Sequence, residues 1–180
     1  MTPPRPPPRK PPAARAWSAH RRHARLRYSR AALGRCLEVL EGQPGPRPPG
    51  GEISLAFLTD EALAQLHAEF LNDPAPTDVI TFPGDAAGEW AGEICVSVDR
   101  AALEAQARRR PFALELTLYL VHGWLHLAGL DDLTPGGRKA MRRGERRLLA
   151  ALRRNRALPD FRLQAGKKAR VSIASRRERR

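Results

Sequence analysis

Two histidines, His122 and His126, lie four residues apart in the most apolar stretch of the chain. That spacing stacks both imidazoles on one face of a helix and presents two nitrogen donors to a single metal ion. Three residues further on, Gly129 can adopt the positive φ that ends a helix and turns the chain back, so Asp132 is expected beside the pair as a third ligand. Its neighbour Asp131 leaves a choice of carboxylate, capping the turn or orienting a ligand; the spacing favours Asp132. Three protein ligands leave a fourth position for water, as in catalytic zinc sites, and zinc lowers the pKa of that water to roughly 7. One Zn2+ per chain on His122, His126 and Asp132 is therefore expected, and that water is the only catalytic group assigned. A lone helical histidine is usually an ordinary packed or surface side chain, but two at this spacing followed by Gly and a carboxylate favour metal binding. The same donors also accept nickel, manganese or iron.

The segment is similar to the zinc-protease pattern H-E-x-x-H-x-x-G-x-x-H/D except that Gly123 stands where the general-base Glu belongs. No peptide substrate is expected. Trp124 reads as core or wall rather than a base-stacking platform. Asp78 reads as a carboxylate that caps a turn or orients an imidazole, or else as a solvated strand end. His67 reads as a surface residue, and His20 and His23 fall in a basic arm.

Periodicity gives the elements that must position these residues. Ser29 is placed to cap a helix through Leu40, with Leu33, Leu37 and Leu40 on one face, and the Pro-rich residues 42–51 form a loop. Residues 52–58 alternate as a strand, and Thr59 or Asp60 caps a helix to about Phe70. A connection over 72–76 leads to a short strand at 77–82, and a Gly-rich loop separates it from a strand-like run at 93–98, a candidate to pair with it. Asp99 opens a helix towards Arg110, and Pro111 suits the first turn of the next. Residues 114–127 are apolar enough to cross the core, and Thr134 with Pro135 begins a last amphipathic helix to about Leu152.

At 180 residues one domain is expected. The formal net charge of +13 is unevenly spread: residues 1–27 hold eight Arg and Lys and no acid, residues 153–180 hold eleven against two acids, and the centre is net acidic. Basic arms around an acidic centre suit a protein acting on a polyanion, nucleic acid above all, although Arg-rich tails can also serve solubility alone. The Pro, Arg and Ala of residues 1–16 cannot bury enough apolar surface to offset ordering. Cys36 and Cys95 are too far apart for a metal knuckle and too few for a disulfide framework. No stretch reaches the roughly 18 apolar residues of a membrane span, nor is there a signal peptide, so no membrane association and a cytoplasmic location are expected.

The segment from His122 to Asp132, together with Thr77-Asp78-Val79-Ile80-Thr81-Phe82-Pro83, closely resembles the H-G-x-L-H-L-x-G-Y/F-D-H and T-D-V-L-S-F-P signatures of the YbeY family of bacterial rRNA-maturation endoribonucleases. Ala91-Gly92-Glu93-Ile94 and the stretch from Met141 to Glu145 extend the likeness over about residues 29–152. The resemblance implies an α+β fold, with helices packed on a small mixed β-sheet and a metal-binding helix crossing the core. It implies a zinc-dependent, single-strand-specific endoribonuclease acting in 16S rRNA 3′-end maturation and ribosome quality control, with rRNA and the small ribosomal subunit as partners. The expected organisation is a disordered basic arm over 1–27, a YbeY-like metallohydrolase domain over 28–152 and a loose basic tail over 153–180. His122 and His126 match two family zinc ligands, and Asp132 stands where the third is usually His. Leu71 stands where the family has an Arg directed at the substrate phosphate; Arg100, Arg110 and Arg138 are candidates to replace it. If none does, the alternative is a non-catalytic zinc-binding assembly factor that holds rRNA.

Overall fold

A computed structural model of the chain describes residues 15–71, 75, 77–85 and 88–165. From the N-terminus the elements are β1 (Trp17–Arg21), β2 (Leu26–Arg27), α1 (Arg30–Glu41), β3 (Glu52–Leu58), α2 (Asp60–Leu71), β4 (Val79–Pro83) and β5 (Trp90–Ser97). There follow α3 (Val98–Ala107), α4 (Phe112–Leu127), α5 (Pro135–Arg154) and β6 (Arg162–Leu163). The fold is α+β with a small mixed sheet, as expected. Helix starts are set by hydroxyl caps: Ser29 Oγ accepts from Ala32 N–H, Ser97 Oγ from Arg100 N–H and Thr134 Oγ1 from Gly137 N–H.

The main sheet has the order β1-β3-β5-β4, with β3 parallel to both β1 and β5 and β4 antiparallel to β5. The pairing of the strands around Ile80 and Cys95 is thus antiparallel, in register at those two residues. On one face Ile53, Leu55, Phe57, Ile94 and Val96 join the main core with α1, α4 and α5. On the other, Ala56, Leu58 and Cys95 pack with Leu63 of α2. That second cover explains why β3 is buried at four consecutive positions, 55–58, where simple alternation predicts every second one. Among the described residues no helix is long and apolar enough to cross a membrane.

The boundaries expected at 27/28 and 152/153 fall inside folded structure. β1 pairs with β3 from Trp17↔Ile53 to Arg21↔Phe57, and Arg15 donates to Glu41 and to the carbonyl oxygens of Pro48, Pro49 and Gly51. β2 pairs with β6, Tyr28 and Phe161 both pack on Phe57, and Ser29 N–H donates to Asp160 Oδ1 at 2.8 Å. Residues 17–27 and 153–163 therefore belong to the folded unit rather than to arm or tail. The physical reason is that β1, β2 and β6 are short and polar on one side, and their partners lie far away in sequence. The remainder of the expected arm and tail, 1–14 and 166–180, and most of the connection at 72–76 lie outside the described residues.

Candidate metal centre

α4 crosses the core with Leu116, Leu120, Trp124 and Leu125 almost wholly buried. Gly123 lets it approach the sheet: a Cβ there would come within 2.4 Å of Ile94 Cγ2, 3.2 Å of Val79 Cγ2 and 3.3 Å of Thr81 Cγ2. The residue between the two histidines thus faces β4 and β5, and the position where a protease carries its general base is filled by sheet packing. Trp124 is fully buried and belongs to the core, so it offers no platform for a base.

At the end of α4, Gly129 takes φ +87°, with its N–H donating to His126 O and the Leu130 N–H to Leu125 O. This turn brings the Leu130 carbonyl to 3.0 Å from His126 Nδ1 and swings residues 131–132 back over the helix. His122 Nε2 and His126 Nε2 lie 2.9 Å apart, and each is 3.9 Å from an oxygen of the Asp132 carboxylate. One donor atom from each of the three residues lies within 4.8 Å of the other two, a grouping that could hold a metal ion. All three side chains are half-buried. The Asp131 carboxylate instead accepts from Leu133 N–H at 3.2 Å, as a turn cap.

The far side of each ring fixes what the near side can do. His122 Nδ1 lies 2.8 Å from Glu145 Oε1 on α5, and His126 Nδ1 faces the Leu130 carbonyl. Both acceptors demand a proton on Nδ1, which in the neutral rings leaves both Nε2 atoms as lone pairs pointing at each other and at a carboxylate. Such a convergence of acceptors with no donor fits a cation, and two imidazoles with one carboxylate suit zinc chemically. Electrostatics separate the two rings. Burial opposes a proton on His122, but the Glu145 carboxylate, helped by Asp78 and Asp132, outweighs it and raises the pKa above the ordinary histidine value. Burial and the neighbouring His122 lower that of His126, against the pull of Asp132.

Glu145 is the partner that sequence reasoning missed. Asp78, read as a carboxylate that caps a turn or orients an imidazole, or else as a solvated strand end, makes no hydrogen bond to either imidazole among the described residues; it lines a cavity of about 230 Å³ with Arg100, Arg108 and Tyr119. A Glu one helix away gives no local signal, although the Met141 to Glu145 stretch already carried part of the family likeness. Of the three candidate guanidinium groups, Arg100 is paired with Asp60 at 3.3 Å and Arg110 stands 4.0 Å from Glu115. Only Arg138 reaches the ligand loop, donating to the carbonyl oxygens of Asp132 at 3.1 Å and Leu133 at 2.8 Å. Leu71 is the last residue of α2. His23 is not a solvated arm residue: it is 5% exposed, with Nε2 3.0 Å from Asp99 Oδ1, and ties the β1–β2 connection to α3. His20 is exposed, and His67 Nδ1 lies 2.8 Å from the Ala75 carbonyl.

The family model described as Endoribonuclease YbeY matches residues 22–153, which include every element from β2 to α4 and nearly all of α5. The protein named Endoribonuclease YbeY of Sinorhizobium fredii is 37% identical over 118 residues, 62% of this chain and 68% of that one. Its namesake from Chlamydia abortus is 42% identical over 115 residues, 59% of this chain and 73% of that one. Among solved structures, the solution structure of a protein from Thermotoga maritima is similar with a TM-score of 0.50, at 23% identity over 71% of this chain and 85% of that one, a likeness of fold.

Proposed function

The chain belongs to the YbeY family, and from that premise we propose that it is a zinc-dependent endoribonuclease that cuts single-stranded RNA in the maturation of the 16S rRNA 3′ end and in ribosome quality control. The observation that carries the reading is the convergence of His122 Nε2, His126 Nε2 and an Asp132 oxygen within 4.8 Å. His122, His126 and Asp132 would hold the ion, which when bound supplies Lewis-acid polarisation of a phosphoryl oxygen and acidifies water. Glu145 and the Leu130 carbonyl keep the ring protons on Nδ1 and so keep both Nε2 lone pairs available. Asp132 brings an anion where the family pattern has a neutral His, so the loaded centre is one unit less positive. Arg138, anchored on the carbonyl oxygens of Asp132 and Leu133, restores a positive charge beside the ligand loop and can draw a phosphate towards it. The substrate and partners are rRNA and the small ribosomal subunit, in the cytoplasm; Gly123, packed against the sheet, speaks against peptide hydrolysis.

A second reading, a non-catalytic zinc-binding assembly factor that holds rRNA, is favoured by one observation: Leu71 replaces the phosphate-directed Arg, and Arg100 is committed to Asp60. The test is elemental analysis alongside cleavage of a single-stranded rRNA fragment, with His122→Ala carried through both. One zinc per chain and metal-dependent cleavage, both lost in the variant, is the expected outcome. Zinc without cleavage would leave the assembly factor, and no metal in a folded, zinc-supplemented protein would end both readings.

A further inference from the structure

α5 carries eight Arg and Lys and one acid, Glu145. Glu145 is engaged with His122, and among the described residues none of the eight cations makes an ion pair. Pairs such as Arg138 and Arg142, or Arg142 and Arg146, are four residues apart, where like charges repel. No ion pair among the described residues offsets that repulsion, which leaves the helix face open to an external anion.

The cations are ordered with respect to the metal centre. Met141, Leu148 and Leu152 face the core, and Glu145 lies at the shoulder of α5 that reaches His122. At 3.6 residues per turn, Arg138, Arg142, Arg153 and Arg146 lie about 20°, 60°, 80° and 100° round from Glu145, on the flank that Arg146 and Arg153 share with the α4–α5 groove. Arg138 begins the row on the ligand loop, at the Asp132 carbonyl, and Arg153 lies roughly 22 Å further along the helix axis. Beyond the middle of the row a groove of about 490 Å³ opens between α4 and α5, lined by Arg110, Arg146 and Arg153 with Leu114, Leu118 and Leu149; the buried Glu115 carboxylate also lines it and is held by Arg108 at 2.7 Å. Cations in file beside apolar slots match the chemistry of a chain of phosphates carrying unpaired, flat, apolar-faced bases.

Resting on the ribonuclease reading above, we infer that the α5 shoulder and the α4–α5 groove form the track along which single-stranded RNA lies as it leaves the metal centre. The phosphates contact Arg138, Arg142, Arg146 and Arg153, and an unstacked base enters the groove against Leu114 and Leu118.

The test uses the full chain loaded with zinc and a short, labelled single-stranded oligoribonucleotide, with binding followed by anisotropy across a salt series and RNA integrity checked on a gel. The triple variant Arg142→Gln/Arg146→Gln/Arg153→Gln should make the log-log salt slope shallower by about 2 and weaken low-salt binding by about tenfold or more. The triple variant Arg143→Gln/Arg147→Gln/Arg154→Gln removes the same charge from the other flank of α5, where Arg143 and Arg147 line a different cavity, and should change the slope less than half as much. Equal effects of the two triples, no effect of the first, or tighter binding of duplex than of single strand would each overturn the track. Since binding is the readout, a wild-type protein that fails to cleave defeats the nuclease reading while leaving the contrast between the two triples to be judged by itself.

Discussion

The Asp131-Asp132 pair sets two identical carboxylates to different tasks. One hydrogen bond, from Leu133 N–H to Asp131 Oδ1, makes Asp131 a turn cap, and the next side chain then faces the imidazoles. Asp132→Ala should strongly reduce zinc content after dialysis and Asp131→Ala only weakly; equal zinc in the two proteins would remove Asp132 from the ligand set. Glu145 acts one step further out, through the His122 ring. Glu145→Ala should weaken zinc by about 10- to 100-fold in a competitive chelator titration while the fold persists, the usual cost of losing a partner that orients a ligand. Unchanged affinity would mean that His122 holds its orientation without Glu145.

At the scale of elements, the site depends on how closely α4 lies on the sheet. The methyl group of Gly123→Ala would have to displace Ile94 from the core or lift α4 away from β4 and β5. The variant should lose about 1–3 kcal/mol of unfolding free energy, the range for overpacking a tight interior, read as a lower urea midpoint. A midpoint equal to wild type would show that the interface relaxes freely.

For the whole molecule, the chain on either side of the expected domain is structural. Deleting residues 1–21 removes β1 with its five-residue ladder and the half-buried Trp17. We expect a loss of about 2–4 kcal/mol from that burial and its hydrogen bonds, visible as a depressed melting temperature. An unchanged melting temperature would show β1 to be dispensable. The two cysteines report on the integrity of both cores, Cys36 in the main one and Cys95 beneath α2. Burial pushes each thiol up to about 12, so thiolate is scarce at pH 8. Iodoacetamide at that pH should leave both unmodified in the native protein and label both after unfolding, as read by intact mass.

Spacing alone was enough to place the helices that carry the candidate site and to anticipate that His122, His126 and Asp132 come together. His122, His126, Gly129 and Asp132 are near neighbours in sequence, and the geometry that unites them is one helical turn and one glycine cap, both local rules. That the strands around Ile80 and Cys95 could pair was legible for a similar reason, since their apolar runs are short and separated by one Gly-rich loop, whereas the antiparallel sense of the pairing belongs to the structure. What only the tertiary structure decided has partners far apart in sequence. Glu145 reaches His122 because α5 packs against α4, β1 orders because β3 offers a free edge, and Asp131 is told apart from Asp132 by a single N–H. Three of the four cations in the α5 row, Arg138, Arg142 and Arg146, were likewise concealed within a net-acidic centre, because net charge sums over a segment whereas recognition depends on which helix face each charge occupies.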